Sequence, residues 1–95
     1  REGDARDELL YAYAYAMMDS WENILPDKTE ITLFEVLDNL AFGKLFGLAD
    51  DSVNELLDEM SEEGIVSVNR QLYPTTIIKT ASPNELIIQL YSRLL

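Results

Sequence analysis

The chain of 95 residues contains no cysteine and no histidine. Without thiols it forms neither a disulfide framework nor a thiolate metal site, and cysteine usage says nothing about its redox compartment. Without imidazole or thiol, a serine nucleophile would need a carboxylate, lysine or tyrosine to activate it, and the serines show no supporting spacing. Glycine-rich phosphate motifs are also absent. We therefore expect a protein that is not an enzyme and that uses no metal or cofactor.

Basic residues are scarce: seven lysines and arginines face eighteen aspartates and glutamates, for a formal charge of -11. A surface this negative repels nucleic-acid phosphates and anionic membranes and favours basic protein partners. No apolar run approaches the ~20 residues of a membrane span, and the amino end has no signal segment. We expect an intracellular, cytoplasmic protein. The start at Arg1 rather than methionine suggests a fragment of a longer chain or trimmed ends.

What is present is the composition of a folded chain. Hydrophobic residues make up 47% of the sequence. A chain of this length hides roughly 65% of its unfolded surface, which is enough for one modest core. We therefore expect residues 1–95 to form a single domain, and we find no internal repeat or low-complexity segment.

The stretch Tyr11–Met18, YAYAYAMM, alternates large and small residues as a β-strand would. At 100° per residue, however, the apolar residues of this region gather on one side and the acidic ones on the other. Alanine is also the best helix former, and Pro26 biases the residue before it away from the helical region. The pattern predicts a helix from about Asp4 to Ile24.

The apolar arc of this first helix spans about half of its circumference, which is wider than a surface helix needs. Tyr11 and Tyr15 fall on one shoulder of the arc and Tyr13 on the other. These tyrosines are either rim residues, whose rings lie on the core while their hydroxyls reach water, or part of a face that packs on a partner. Both interpretations stay open from the sequence.

Two later segments carry the same helix-start signal. Thr32 and Glu35 have the spacing of a capping box, which predicts that a second helix begins there. Ser52 and Glu55 repeat that spacing, and the cluster Asp50-Asp51-Ser52 offers good N-cap residues. A third helix is therefore expected to begin at this cluster.

Glycines and β-rich runs organise the remainder of the chain. Gly43 either ends the second helix or lets a neighbouring element approach closely, and Gly64 suits the left-handed position that ends the third. The runs Ile65–Asn69 and Thr75–Lys79 predict a hairpin. Ser82-Pro83-Asn84-Glu85 combines an N-cap serine, a proline and a glutamate, which predicts the start of a last helix.

The order helix, short strand, helix, helix, hairpin, helix resembles that of the winged-helix superfamily. ITLFEVLDNL (residues 31–40) is similar to its strand and second helix, and GLADDSVNELLDEMSEEGIVSVNR (residues 47–70) to its third helix and wing. The resemblance covers about residues 9–80. It implies an α+β, mostly helical fold: three core helices and a β-hairpin wing, with an additional C-terminal helix. The segment Phe42–Leu48 departs from the pattern by being several residues longer than the usual turn.

In this superfamily the third helix usually enters the DNA major groove. Here it carries many carboxylates and neither lysine nor arginine, although a groove-reading helix needs donors for phosphates and bases. DNA reading by this helix is therefore not expected. The acidic run is either a solvated helix face or a docking face for a basic partner, with the candidate residues Asp50, Asp51, Glu55, Asp58, Glu59 and Glu62.

The wing offers another route to nucleic acid. Arg70 and Lys79 are its only cations. Two phosphate contacts supply little affinity at physiological salt, although a dimer would double them. The alternative function is therefore a small dimeric transcription regulator that contacts DNA through its wing.

The favoured interpretation is a non-enzymatic, acidic winged-helix module for protein–protein interaction, either as a homodimer or as a subunit of a larger complex. Acidic domains of this kind resemble those of chromosome-organising complexes and transcription machinery, where the fold serves protein contacts. The first and last helices would supply the apolar surface, with the candidate interface residues Tyr11, Tyr15, Trp21, Leu90, Tyr91 and Leu94.

Overall fold

Helical periodicity and two β-rich runs predict a mostly helical α+β fold, and the computed structural model confirms this class. It describes the backbone of residues 2–94 and the side chains of residues 8–93, within which five α-helices accompany one three-stranded antiparallel sheet. The elements are helix α1 (Glu2–Ile24), strand β1 (Glu30–Thr32), helix α2 (Leu33–Glu35) continued by a π-helical turn (Val36–Leu40), helix α3 (Phe42–Leu45), helix α4 (Asp50–Glu62), strands β2 (Val66–Asn69) and β3 (Thr76–Lys79), and helix α5 (Pro83–Leu94).

Helix α1 includes the YAYAYAMM stretch, as its period of 3.6 predicts. Ala14, Met17, Met18 and Trp21 are fully buried along one side of it. The helix packs most extensively on α5 and also contacts α3, α4 and the π-helical turn. It is therefore the element around which the other helices are arranged.

The sheet has the strand order β1-β3-β2, with both pairs antiparallel. Ile77 of the central strand lies opposite Ile31 on one side and Val68 on the other. Ile31 and Ile77 are buried, whereas the next residue, Ile78, is exposed because successive side chains of a strand point to opposite faces. The predicted hairpin is confirmed, and its loop connects residues 69 and 76.

The two helix-start signals have different outcomes. At Thr32 the capping box is confirmed, because the Glu35 amide donates to Thr32 Oγ1 at 3.2 Å and the Thr32 amide donates to Glu35 Oε1 at 3.1 Å. At the second signal the predicted start of the third helix is confirmed, because α4 begins at Asp50 within the predicted cluster. Its N-cap residue is Ala49, which has no side-chain cap, so the spacing of Ser52 and Glu55 is not used as a capping box. Asp50 and Asp51 instead lie in the first turn, where the positive end of the helix dipole favours carboxylates.

Gly43 permits a close approach between α3 and α4, as one of its two interpretations predicts. A Cβ atom at this position would lie 2.6 Å from Val53 Cγ2. The second helix ends earlier, at Ala41, which adopts a left-handed conformation with φ 51°. The long segment Phe42–Leu48 therefore begins with the short helix α3, which packs on α1 and approaches α4 closely at Gly43.

The last helix begins at its predicted signal and packs within its own chain. The Glu85 amide donates to Ser82 Oγ at 3.3 Å, which caps the first turn of α5. Leu86 is buried and Leu90 is half-buried against the core. The large side chains that are fully buried come from helices and strands alike: Trp21, Phe42, Met17, Met18, Ile31, Leu57, Met60, Ile65, Ile77 and Leu86.

The two Ser/Thr-x-x-Glu motifs provide a matched pair of variants. Thr32→Ala should lower the free energy of unfolding by about 1 kcal/mol, because it removes the acceptor that caps α2. Ser52→Ala should change it by less than about 0.5 kcal/mol, because Ser52 is exposed inside the first turn of α4. Urea unfolding followed by circular dichroism measures both values. Equal losses in the two variants would contradict the assigned caps.

Gly43→Ala should lower the free energy of unfolding by about 1–3 kcal/mol, because the new methyl group would overlap Val53. In a Val53→Ala background the overlapping methyl group is gone, so the same substitution should be much less destabilising. Chemical denaturation of the wild type, both single variants and the double variant measures this coupling. The same loss in both backgrounds would show that contact with Val53 is not what requires glycine.

Candidate protein interface

Helix α4 separates its charges from its apolar residues. Val53, Leu57 and Met60 are buried on its inner side, and the carboxylates project from its other positions because of the helical period. Five of the six predicted docking residues are exposed, and Glu59 is half-buried. The structure therefore brings the predicted acidic residues together along one helix, which we call the acidic face: Asp50, Asp51, Glu55, Asp58, Glu59 and Glu62.

A groove lies beside the acidic face, between α1 and α4, with a cavity volume of about 500 Å³. Apolar side chains of both helices line it, and its α4 side continues into carboxylates. We call it the α1/α4 groove, and its lining residues are Leu9, Leu10, Tyr13, Leu56, Glu59, Glu62 and Glu63.

Sequence reasoning did not identify this groove as a site. Leu9 and Tyr13 lie four residues apart on the helix, on the shoulder opposite Tyr11. Leu9 is 53% exposed, so the core does not cover this shoulder completely. The signal was present in the periodicity of α1, but the position of α4 beside it could not be deduced from spacing alone.

Two of the predicted interface residues belong to the core and not to an exposed surface. Trp21 is fully buried, its indole N–H donates to the Lys28 carbonyl at 2.7 Å, and Lys79 Nζ lies 5.1 Å from its ring centroid. Tyr11 is buried beneath α5, where the Arg93 guanidinium lies 4.0 Å from the centre of its ring. The prediction that these two side chains face a partner is therefore corrected, because elements of the same chain cover them.

The other four predicted interface residues have different surroundings. Tyr15 and Leu90 are half-buried and pack against the core. Tyr91 is 62% exposed on the outer side of α5. The side chain of Leu94 lies outside the described residues. Of the two interpretations of the tyrosines, the rim position thus fits Tyr13 and Tyr15, whereas Tyr11 is a core residue.

The outer side of α5 carries two large exposed apolar side chains among polar residues, and little charge. Ile88 is 64% exposed, close to the value for Tyr91, which lies three residues further along the helix. Between Pro83 and Leu94 the only charged residues are one glutamate, Glu85, and one arginine, Arg93. Helix α5 has no net charge, although the chain as a whole has a formal charge of -11. We call its exposed apolar surface, formed by Ile88 and Tyr91, the α5 face.

Both candidate DNA-binding cations already face acidic groups. Arg70 Nε lies 3.0 Å from Asp58 Oδ1, and its Nη2 donates to the Asn54 carbonyl at 3.0 Å, so the arginine joins the wing to α4. Lys79 Nζ lies 3.9 Å from Glu22 Oε1 and faces the Trp21 ring. A phosphate at either cation would have to compete with a carboxylate of the same chain.

The loop at the tip of the β2–β3 hairpin carries exposed apolar side chains. Tyr73 is 91% exposed and its ring meets that of Phe34 edge to face, with 6.4 Å between centroids. Leu72 beside it is also exposed. The tip therefore carries an exposed aromatic pair.

The described part of the chain contains neither a membrane-spanning helix nor a cluster of metal-ligating side chains. Among residues 2–94, no helix combines the length and apolar character that crossing a membrane requires. Within residues 8–93, whose side chains are described, no three carboxylates converge closely enough to hold a metal ion.

Comparison with known proteins gives no relative from which a function could be transferred: no family model matches the chain, and no curated protein or solved structure matches it. What the chain binds is therefore inferred from its own surface.

A titration with duplex DNA at low salt should leave the backbone amide NMR signals of Arg70 and Lys79 unchanged. Asp58 and Glu22 face these cations, and the charge of -11 repels phosphate. DNA-induced shifts at both residues in the wild type would contradict this expectation. If the Arg70→Ala, Lys79→Ala double variant then showed no DNA-induced shifts in the hairpin, the result would support DNA binding through the hairpin.

Proposed function

We propose that this chain is a non-enzymatic, acidic winged-helix module for protein–protein interaction, and that it associates with a second copy through the α5 face. The observation that carries the proposal is the pair of exposed apolar side chains on α5, Ile88 and Tyr91, at 64% and 62% exposure. Exposed apolar residues grouped on one helix are typical of protein contact sites.

The winged-helix part of the proposal is supported by topology. Strand β1 precedes α2, the hairpin of β2 and β3 follows α4, and β1 pairs with β3 to complete a three-stranded sheet. Helix α5 then adds to this arrangement and packs on α1. The extra helix α3 between α2 and α4 is the feature in which the chain departs from the usual order.

Charge favours the α5 face over other surfaces for contact between two copies. Two chains of charge -11 repel each other, and the repulsion is strongest where carboxylates are concentrated, as on the acidic face. Helix α5 carries one charge of each sign, so two copies can meet there with little local repulsion. Tyrosine and isoleucine can then bury apolar area against their counterparts around a two-fold axis.

The DNA-binding alternative has less support from the geometry. Arg70 and Lys79 are each close to a carboxylate, and α4 presents only acidic charges. A protein partner therefore accounts better for the distribution of charge and apolar surface than a nucleic acid does.

Self-association should depend on Ile88 and Tyr91 and should strengthen with salt. Sedimentation velocity over a range of concentrations should show a dimer, and added sodium chloride should tighten it because salt screens the repulsion between the chains. The Ile88→Ser, Tyr91→Ser double variant should weaken dimerisation by about tenfold or more, since two apolar side chains leave the interface.

A serine at Leu72 provides the matched control, because this residue is also exposed but lies on the wing. Leu72→Ser should leave the dimerisation constant unchanged within about twofold. A wild-type chain that stays monomeric at high concentration and high salt would overturn self-association through α5.

A further inference from the structure

The α1/α4 groove combines an apolar floor with an acidic edge. We propose that it binds a basic amphipathic segment of another protein, whose apolar side chains contact Leu9, Tyr13 and Leu56 while its lysines or arginines face Glu62 and Glu63. This inference rests on the proposed function, because it names the partner chemistry of a second surface on the same module.

The floor of the groove is apolar surface that the fold leaves open. Leu9 is 53% exposed, and Leu56 and Tyr13 are half-buried on the facing helices. The two helices are in contact beneath the groove, with Leu10 and Leu57 buried. Because the groove lies between two packed helices, it is present before a partner arrives and little ordering is needed to bind one.

Helix α3 extends the apolar surface beyond the groove. The ring of Phe46, just after this helix, meets Tyr13 edge to face with 5.2 Å between centroids. Leu45 is 79% exposed and Phe46 is 44% exposed. The segment that departs from the usual winged-helix order thus places the exposed Phe46 ring next to the groove.

The acidic edge selects the sign of the partner. Glu62 and Glu63 are exposed, and within residues 8–93 no lysine or arginine forms an ion pair with either of them. Glu55 lies further along the acidic face, so a long basic segment would meet another carboxylate there, whereas Asp58 is already paired with Arg70. Opposite charge at the rim of an apolar contact directs the partner and excludes acidic competitors.

The position of these glutamates at the C-terminal end of α4 also favours a basic partner. Glu62 is the last residue of the helix, Glu63 is its C-cap, and the last turn contains no basic residue. Carboxylates at this end are unfavourable because the helix dipole is negative there. A bound lysine or arginine would interact favourably with the helix end and with both carboxylates at once.

The probe is a synthetic amphipathic peptide of leucine and lysine, with a leucine–glutamate peptide of the same pattern as its counterpart. Binding is measured by fluorescence anisotropy and mapped by NMR, using the Ile88→Ser, Tyr91→Ser variant so that dimerisation through α5 does not interfere. The lysine peptide should bind, shift the amide signals of Leu9, Tyr13 and Leu56, and bind more weakly as salt rises. The glutamate peptide should not bind.

Two pairs of substitutions remove equal charge from the same helix. Glu62→Gln with Glu63→Gln should weaken binding about tenfold, and unfolding is not the cause because the change relieves repulsion at the negative helix end. Asp50→Asn with Asp51→Asn, at the other end of α4, should change affinity by less than about threefold. Leu9→Ser should also weaken binding, since it removes part of the floor.

Equal losses from the two charge-removing pairs, or shifts spread over the whole acidic face, would overturn the inference, because they would show general attraction between a cation and a negative chain. Failure of the lysine peptide to bind would overturn it as well. Dimerisation of the wild type through α5 is measured separately by sedimentation. A negative result with the peptides would therefore reject the groove proposal without rejecting the proposed function.

Discussion

Helix α1 has more apolar surface than one neighbour can cover, and the arrangement of the other elements follows from that excess. Its inner side, with Met17 and Trp21, lies in the core. Helix α5 covers the Tyr11 shoulder, and α3 and α4 approach the Tyr13 shoulder. Tyr11 on the first shoulder is buried, whereas Leu9 on the second shoulder stays exposed. The groove is therefore a direct consequence of how α1 is packed.

The uneven distribution of charge gives the two shoulders different chemistry. Carboxylates are concentrated on α4, beside the partly covered shoulder, whereas α5 carries one charge of each sign. A partner that makes apolar contacts at α5 meets little electrostatic repulsion there. A partner that makes apolar contacts beside α4 also experiences the strong negative field of its carboxylates. One small chain can therefore offer a surface suited to another copy of itself and a second surface suited to a basic partner.

Intrachain ion pairs also affect how the β2–β3 hairpin could contact a nucleic acid. Arg70 links the loop after β2 to α4 through Asp58, and Lys79 links β3 to α1 through Glu22. Ion pairs near the surface add little stability, but these two place carboxylates next to the cations that a nucleic acid would need. At the tip of the hairpin, the exposed Tyr73 contacts Phe34 edge to face.

The sequence by itself determined the class of fold, the hairpin, the first helix from about Asp4 to Ile24 and the acidic character of α4, because these depend on periodicity and composition over many neighbouring residues. Local signals were less decisive: the same four-residue motif caps α2 at Thr32 but lies inside α4 at Ser52. Only the tertiary structure decided that Trp21 and Tyr11 are core residues and that Leu9 is exposed. Helical spacing shows which side chains share a face, whereas the elements that pack on that face come from distant parts of the chain.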